Sequence, residues 1–204
     1  MNKPLSIEKA IHVLSYLQRG TAETHVKILL AYVFLADRYS IRTYAMLVLG
    51  EPQCYATQSG PVPSQTMKVL KKNLPGITAQ ERVLLDSSIR QTSKDTVVID
   101  TLEEYDLLSK ADIEALDFVI EYFKGLSVSD LVALTQQYPE WAKGEPRLMS
   151  GSKRVAMRYE DFFDNPEAEN LQEIHRILGC NDPFITQGPG VAGLALAKEV
   201  FLFS

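Results

Sequence analysis

Cysteine is scarce: Cys54 and Cys180 are the two in 204 residues, and neither has a second cysteine nearby. That spacing excludes C-x-x-C redox chemistry and a cysteine-rich zinc cluster, and it fits a reducing cytoplasm. Histidine is scarce as well. His12, His25 and His175 are isolated from one another and from both cysteines, and no H-E-x-x-H pair occurs. Basic charge is not in excess either: 21 lysines and arginines face 26 carboxylates, for a net charge of −5. The chain therefore lacks the electropositive footprint of a phosphate-neutralising surface, and no nucleic acid partner is expected. No apolar run reaches the roughly 18 residues needed to cross a bilayer, and Met1 to Ser6 is polar with Pro4, so no membrane association is expected.

What is present is ordinary globular material, with 46% hydrophobic and 23% charged residues. A chain of this length can bury about 70% of its unfolded surface without disulfides or metals. Apolar residues recur at intervals of three and four from Ser6 to Arg19, with Ser6 as N-cap and Gly20 past the end. Val26 to Ala36 is apolar at nearly every position, which predicts a central buried helix. Asp37 to Ser40 restores polarity and suggests its end, with a further helical turn over Ile41 to Leu49. Gln53 to Gln58 reads as extended and runs into the Ser59-Gly60-Pro61-Val62-Pro63 turn. Helices are predicted from Ser64 to Leu70 and Thr78 to Arg90, and the β-branched run Thr96 to Asp100 is the clearest strand.

Ser109 with Asp112 caps a helix ending near Lys124, and Ser127 starts another that stops at Tyr138-Pro139. Lys143 to Lys153 reads as a loop, and Tyr159 to Phe163, Glu167 to Leu178 and Val191 to Ser204 as helical. The expected fold is mainly α with a small β-sheet (α+β), a compact multi-helix domain around a buried central helix. One domain is placed at residues 1–165, with 166–204 as a C-terminal helical extension and apolar tail.

No motif supports catalysis. Gly188-Pro189-Gly190-Val191-Ala192-Gly193 has the G-x-G-x-x-G spacing, but only eleven residues follow it, too few for the second strand and ribose-binding acid of a dinucleotide fold. It reads as a flexible linker. Gly151-Ser152-Lys153 lacks the spacing of a P-loop, and Glu103-Glu104 and Glu160-Asp161 read as solvated helix surface. No catalytic residue, cofactor or metal is expected.

Several stretches in register carry a resemblance. Leu29 to Asp37 ends in an aromatic-x-x-Leu-Ala-Asp pattern, Gly60-Pro61-Val62 forms a turn, and Leu108-Ser109 opens a helix. Gly125-Leu126-Ser127, Leu131, Leu134-Thr135 and Trp141 complete the series. Together, over about residues 5 to 165, they resemble the Panacea domain family of SocA-like antitoxins found in bacterial genomes and prophages. Where that family often has histidine after Leu134-Thr135, this chain has Gln136. The quoted positions have fold-making roles by themselves: Asp37 as a partner for Arg38 or a backbone donor, Ser109 and Ser127 as caps, Trp141 as an apolar anchor.

The resemblance implies an antitoxin that binds a cognate protein toxin, encoded by the adjacent gene, and blocks it by complex formation. A second implication is an adaptor that delivers the bound toxin to an ATP-dependent protease. A third reading, a phage-encoded enzyme acting on a small metabolite, requires His25, Asp37, Tyr55 and Gln136 to converge in space. The tail carries the candidate contact residues Leu194, Val200, Phe201 and Phe203, which with Leu196 and Leu202 make it apolar on more than one face. Such a segment either folds back on its own core or docks on a toxin or a second copy.

Overall fold

The computed structural model describes residues 5–203. Its axis is a 19-residue helix, α2 (Val26–Tyr44), about 28 Å long and buried over most of its length. A helix apolar on every side is stable only when other elements cover every side. The preceding helix, α1 (Ile7–Thr21), lies on one flank of α2, with Ile7, Ala10, Ile11, Leu14 and Leu17 turned inward. Ser6 accepts a hydrogen bond from the Lys9 amide and caps it. Gly20 lies inside α1 rather than past its end. A Cβ there would stand 2.5 Å from Ile120 Cδ1, so glycine admits the close approach of that side chain.

Helix α2 does not stop at the polar residues that follow Ala36. Asp37, Arg38 and Arg42 are all buried and hydrogen-bonded, so the helix runs through them to Ala45, where the backbone turns left-handed. Asp37 Oδ1 accepts from the Val48 amide at 2.8 Å and folds residues 45–49 back against the helix. Its partner is thus a backbone donor, not Arg38.

Strands β1 (Cys54–Thr57) and β2 (Gly60–Pro63) form an antiparallel hairpin with Cys54 opposite Pro63 and Thr57 opposite Gly60. Gly60 has φ of +94°, which the tight reversal requires, and leaves room for Thr135 Oγ1. Two helices follow, α3 (Ser64–Leu70) and α4 (Ala79–Ser88), the latter closed by a capping box between Thr78 and Glu81. The segment predicted as a helix to Arg90 changes at Ile89 into β3 (Ile89–Gln91), which pairs with β4 (Val97–Ile99). The predicted strand is therefore in place, in a separate two-stranded ribbon.

Helix α5 (Lys110–Phe123) has the Ser109–Asp112 capping box and packs along α2. Next come α6 (Val128–Thr135), capped by Ser127, and α7 (Pro139–Ala142), with proline in its first turn. The predicted loop after Lys143 contains a short helix, α8 (Glu145–Met149), before β5 (Val155–Ala156) adds to the hairpin in the order β2-β1-β5. A 3₁₀ turn (Tyr159–Phe163), α9 (Ala168–Leu178), α10 (Pro183–Thr186) and α11 (Val191–Phe203) complete the chain. The protein is mainly helical with a small antiparallel sheet.

Two arginines tie the C-terminal part of the chain to α2. Arg38 Nη1 donates to Glu140 Oε2 at 2.5 Å and to the Phe162 carbonyl at 3.3 Å, and Nη2 donates to the Asp164 carbonyl at 3.0 Å. Arg42 donates to the Phe162 and Asp164 carbonyls and, at 2.7 Å, to Asn165 Oδ1. The Arg38 guanidinium lies 4.3 Å from the Tyr138 ring centroid and 5.2 Å from that of Phe184. Arg38→Met is expected to destabilise the protein by about 3–5 kcal/mol, because it leaves the Glu140 carboxylate buried without its counter-charge. Adding Glu140→Leu should recover most of that loss. Urea unfolding midpoints of the two variants check this, and equal destabilisation of both would show that packing, not charge, sets the effect.

Candidate interaction site on the C-terminal helix

Helix α11 seats one face and exposes another. Leu194, Ala197 and Phe201, spaced three and four apart, point toward α2 and the 3₁₀ turn; Ala197 is buried, and Leu194 and Phe201 are partly so. The Phe201 ring lies 5.7 Å from the Phe163 ring and 6.4 Å from that of Tyr159. On the outer side Phe203 is 85% exposed, Leu196 62% and Val200 51%, with Val191 and Leu202 exposed nearby. The candidate residues therefore divide: Val200 and Phe203 face solvent, while Leu194 and Phe201 are seated on the protein's own surface.

An ion pair joins α11 to the 3₁₀ region. Lys198 Nζ lies 3.5 Å from Asp164 Oδ1, and Lys143 Nζ bridges Asp164 at 2.7 Å and Asp161 at 2.8 Å. Despite its partial burial, the two lysines hold the Asp164 carboxyl below its usual range. The cleft beside this cluster, bounded by Gln137, Pro139, Lys143, Asn165 and Asn170, holds about 320 Å³, the low end for a small-ligand site. Among the described residues no group of three or more His, Cys, Asp or Glu side chains is placed to hold a metal ion.

The residues named for an enzymatic reading do not converge. His25 caps α2 at one end, its Nδ1 accepting from the Lys27 amide, while Asp37 lies twelve residues along the same helix, about 18 Å away. Tyr55 is on β1 under the Arg154 guanidinium, and Gln136 Nε2 donates to the Gln58 carbonyl at 3.2 Å. Each has a local structural partner.

The titratable groups with the largest perturbations are instead interior. Burial, reinforced by the nearby Glu51 carboxylate, pushes Asp37 up to about 8, against the opposing pull of the Val48 and Leu49 amides. Burial and the neighbouring Arg38 lower Arg42 to about 9. Burial raises Glu140, with Arg38 opposing, and it likewise raises Asp182, which accepts from the Tyr138 hydroxyl at 3.4 Å. Arg38 and Arg42, four residues apart just beyond the apolar stretch of the central helix, are the visible signal for this network. Their partners lie too far along the sequence to be read from it.

Comparison with protein families gives a match to the antitoxin SocA-like, Panacea domain over residues 29–142, more than half of the chain. The chain belongs to that family. No curated protein and no solved structure matches it. The Panacea segment spans from within α2 to the end of α7, and its motif residues are fold-making: Trp141 Nε1 donates to the Thr57 carbonyl at 3.0 Å, and Ser127 accepts from the Asp130 amide. Helix α11 lies outside the matched segment yet packs on α2, which is largely inside it. Among the described residues no helix is long and apolar enough to cross a membrane.

The raised Asp37 gives a defined pH dependence. Its folded value near 8 lies above the ordinary 3.8, so its contribution to stability is complete below about pH 4 and is lost as pH rises toward about 8. Asp37→Asn keeps an oxygen for the Val48 amide but cannot ionise. The stability of the wild type relative to Asp37→Asn is therefore expected to fall between about pH 4 and pH 8, measured by urea unfolding at several pH values. A pH-independent difference would show that Asp37 does not hold its proton in the folded state.

Proposed function

We propose that this protein is the antitoxin of a bacterial or prophage toxin–antitoxin pair, and that it neutralises a cognate protein toxin, encoded by the adjacent gene, by direct complex formation in the cytoplasm. The observation that carries the reading is membership of the SocA-like antitoxin family over residues 29–142. A neutraliser of this kind needs a complementary surface rather than a catalytic constellation. The outer face of α11 supplies one in which large apolar side chains stand exposed side by side, the arrangement that marks protein-binding surfaces.

In this reading Val200 and Phe203 contact the toxin directly, and Leu194 and Phe201 contact it only when α11 leaves its seat. The aromatic ring of Phe203 is the anchor, since interface energy concentrates in a few large side chains buried at the centre of the contact. The net charge of −5 favours encounter with a basic toxin, an attraction that salt screens.

Co-expression with the product of the adjacent gene tests the antitoxin reading. Restored growth and a co-purifying complex are expected, and neither appearing would remove it. Occlusion leaves the toxin's half-life in cells unchanged, whereas a shortened half-life identifies delivery to an ATP-dependent protease. The double variant Val200→Asp/Phe203→Asp is expected to weaken the complex at least about tenfold, by placing charges in an apolar contact, with little change in unfolding midpoint because both positions are exposed. Affinity measured by titration calorimetry decides this, and an unaltered complex would place the toxin elsewhere.

A further inference from the structure

We propose that the groove formed by α2 and the 3₁₀ turn, filled in this structure by α11 of the same chain, is the docking site for an amphipathic, basic-edged helix of a protein partner, with α11 as its resident placeholder. The identity of that partner as the toxin rests on the antitoxin reading; the groove itself does not.

The floor of the groove is built without α11. The Tyr159 hydroxyl donates to the Glu51 carbonyl at 2.7 Å, which fixes the ring. Phe162 stacks edge-on against Phe34 of α2, and its carbonyl is held by both Arg38 and Arg42. Phe163, next in the chain, is buried. The walls of this apolar groove are thus held by hydrogen bonds that α11 does not supply.

The chain is anchored up to the point where α11 begins. Phe184 on α10 is buried against Phe118, Phe123 and Tyr138. Gly188 lies so close to the Phe184 carbonyl that a Cβ would approach it to 2.2 Å, so only glycine allows the chain to pass there. Around Gly190 a Cβ would meet nothing within 4 Å. In this proposal the hinge is at Pro189-Gly190, the two residues that precede the start of α11 at Val191.

The seated helix also shows what the groove accepts. Its inward residues follow the pattern Leu-x-x-Ala-x-x-x-Phe, with Lys198 after the small residue, directed at Asp164. Both members of that ion pair are about two-fifths exposed, and Asp164 is already paired with Lys143, so the tie is weak and exchangeable. Asp161 and Asp164 give the rim its negative charge, which complements a helix carrying lysine or arginine at the Lys198 position. The outer face of α11 is apolar too, so on leaving the groove the helix can pack over the incoming partner.

Two measurements on the full chain, neither containing a toxin, test the groove separately from the antitoxin reading. Native-state hydrogen exchange is expected to show the amides of α11 opening locally, with protection well below that of α2. If both helices exchange only through global unfolding, α11 is core and the proposal fails. The second uses a fluorescent peptide of residues 190–204 as the probe. Full-length Lys198→Glu/Phe201→Ala, whose own helix is unseated, is expected to bind it at least about tenfold tighter than wild type, in which the groove is filled. The same peptide carrying Lys198→Glu is expected to lose that advantage. Equal binding to wild type and variant, or a variant that loses its fold by circular dichroism, would overturn the placeholder role.

Discussion

The guanidinium groups of Arg38 and Arg42 lie at the centre of the molecule with almost no access to water, and their hydrogen bonds dictate where the last third of the chain must run. A buried cation without partners is prohibitively costly, so α2 can take its central place only if carbonyls and carboxylates are brought to it. Glu140 comes from α7, and the carbonyls of Phe162 and Asp164 come from the turn beyond the Panacea segment. That requirement positions the 3₁₀ turn, the turn positions Tyr159 and Phe163, and those rings form the seat of α11. The surface proposed to meet a partner is thus a remote result of two charges on the central helix.

Elements whose signals are local were legible in the sequence. The Ser109–Asp112 pair marked the start of α5, the β-branched run at Thr96 to Asp100 marked β4, and the spacing of Ile7, Ile11 and Leu14 gave α1 its buried face. Helix α2 was legible as buried but not in its length. Asp37 and Arg38 look like a helix end because the sequence does not show that Asp37 is held by the Val48 amide and Arg38 by Glu140. Ile89 failed for a related reason, since nothing local shows that it pairs with Ile99 across a ribbon. The tail was legible as apolar. Which of its faces is seated was not, because Leu194 and Phe201 differ from Val200 and Phe203 only in what lies beneath them.

The motif residues of the family and the candidate contact residues belong to different parts of the molecule. Trp141, Ser127 and Gly60 hold elements together, each through a bond or a close approach, whereas Val200 and Phe203 are exposed on a helix outside the family segment. The outward side chains of Phe203 and Leu196 are exposed, so substitution there leaves the interior packing of the scaffold intact.

The arginine network also fixes an order of events during synthesis. The bonds from Arg38 and Arg42 to Phe162, Asp164 and Asn165 span 120 to 126 residues of chain. On the ribosome, α2 emerges long before its acceptors exist, and contacts of such separation form late. Until then the nascent chain holds a helix whose apolar sides and unpaired cations cannot be buried together. Its central helix finds its partners only after residues 162–165 have emerged.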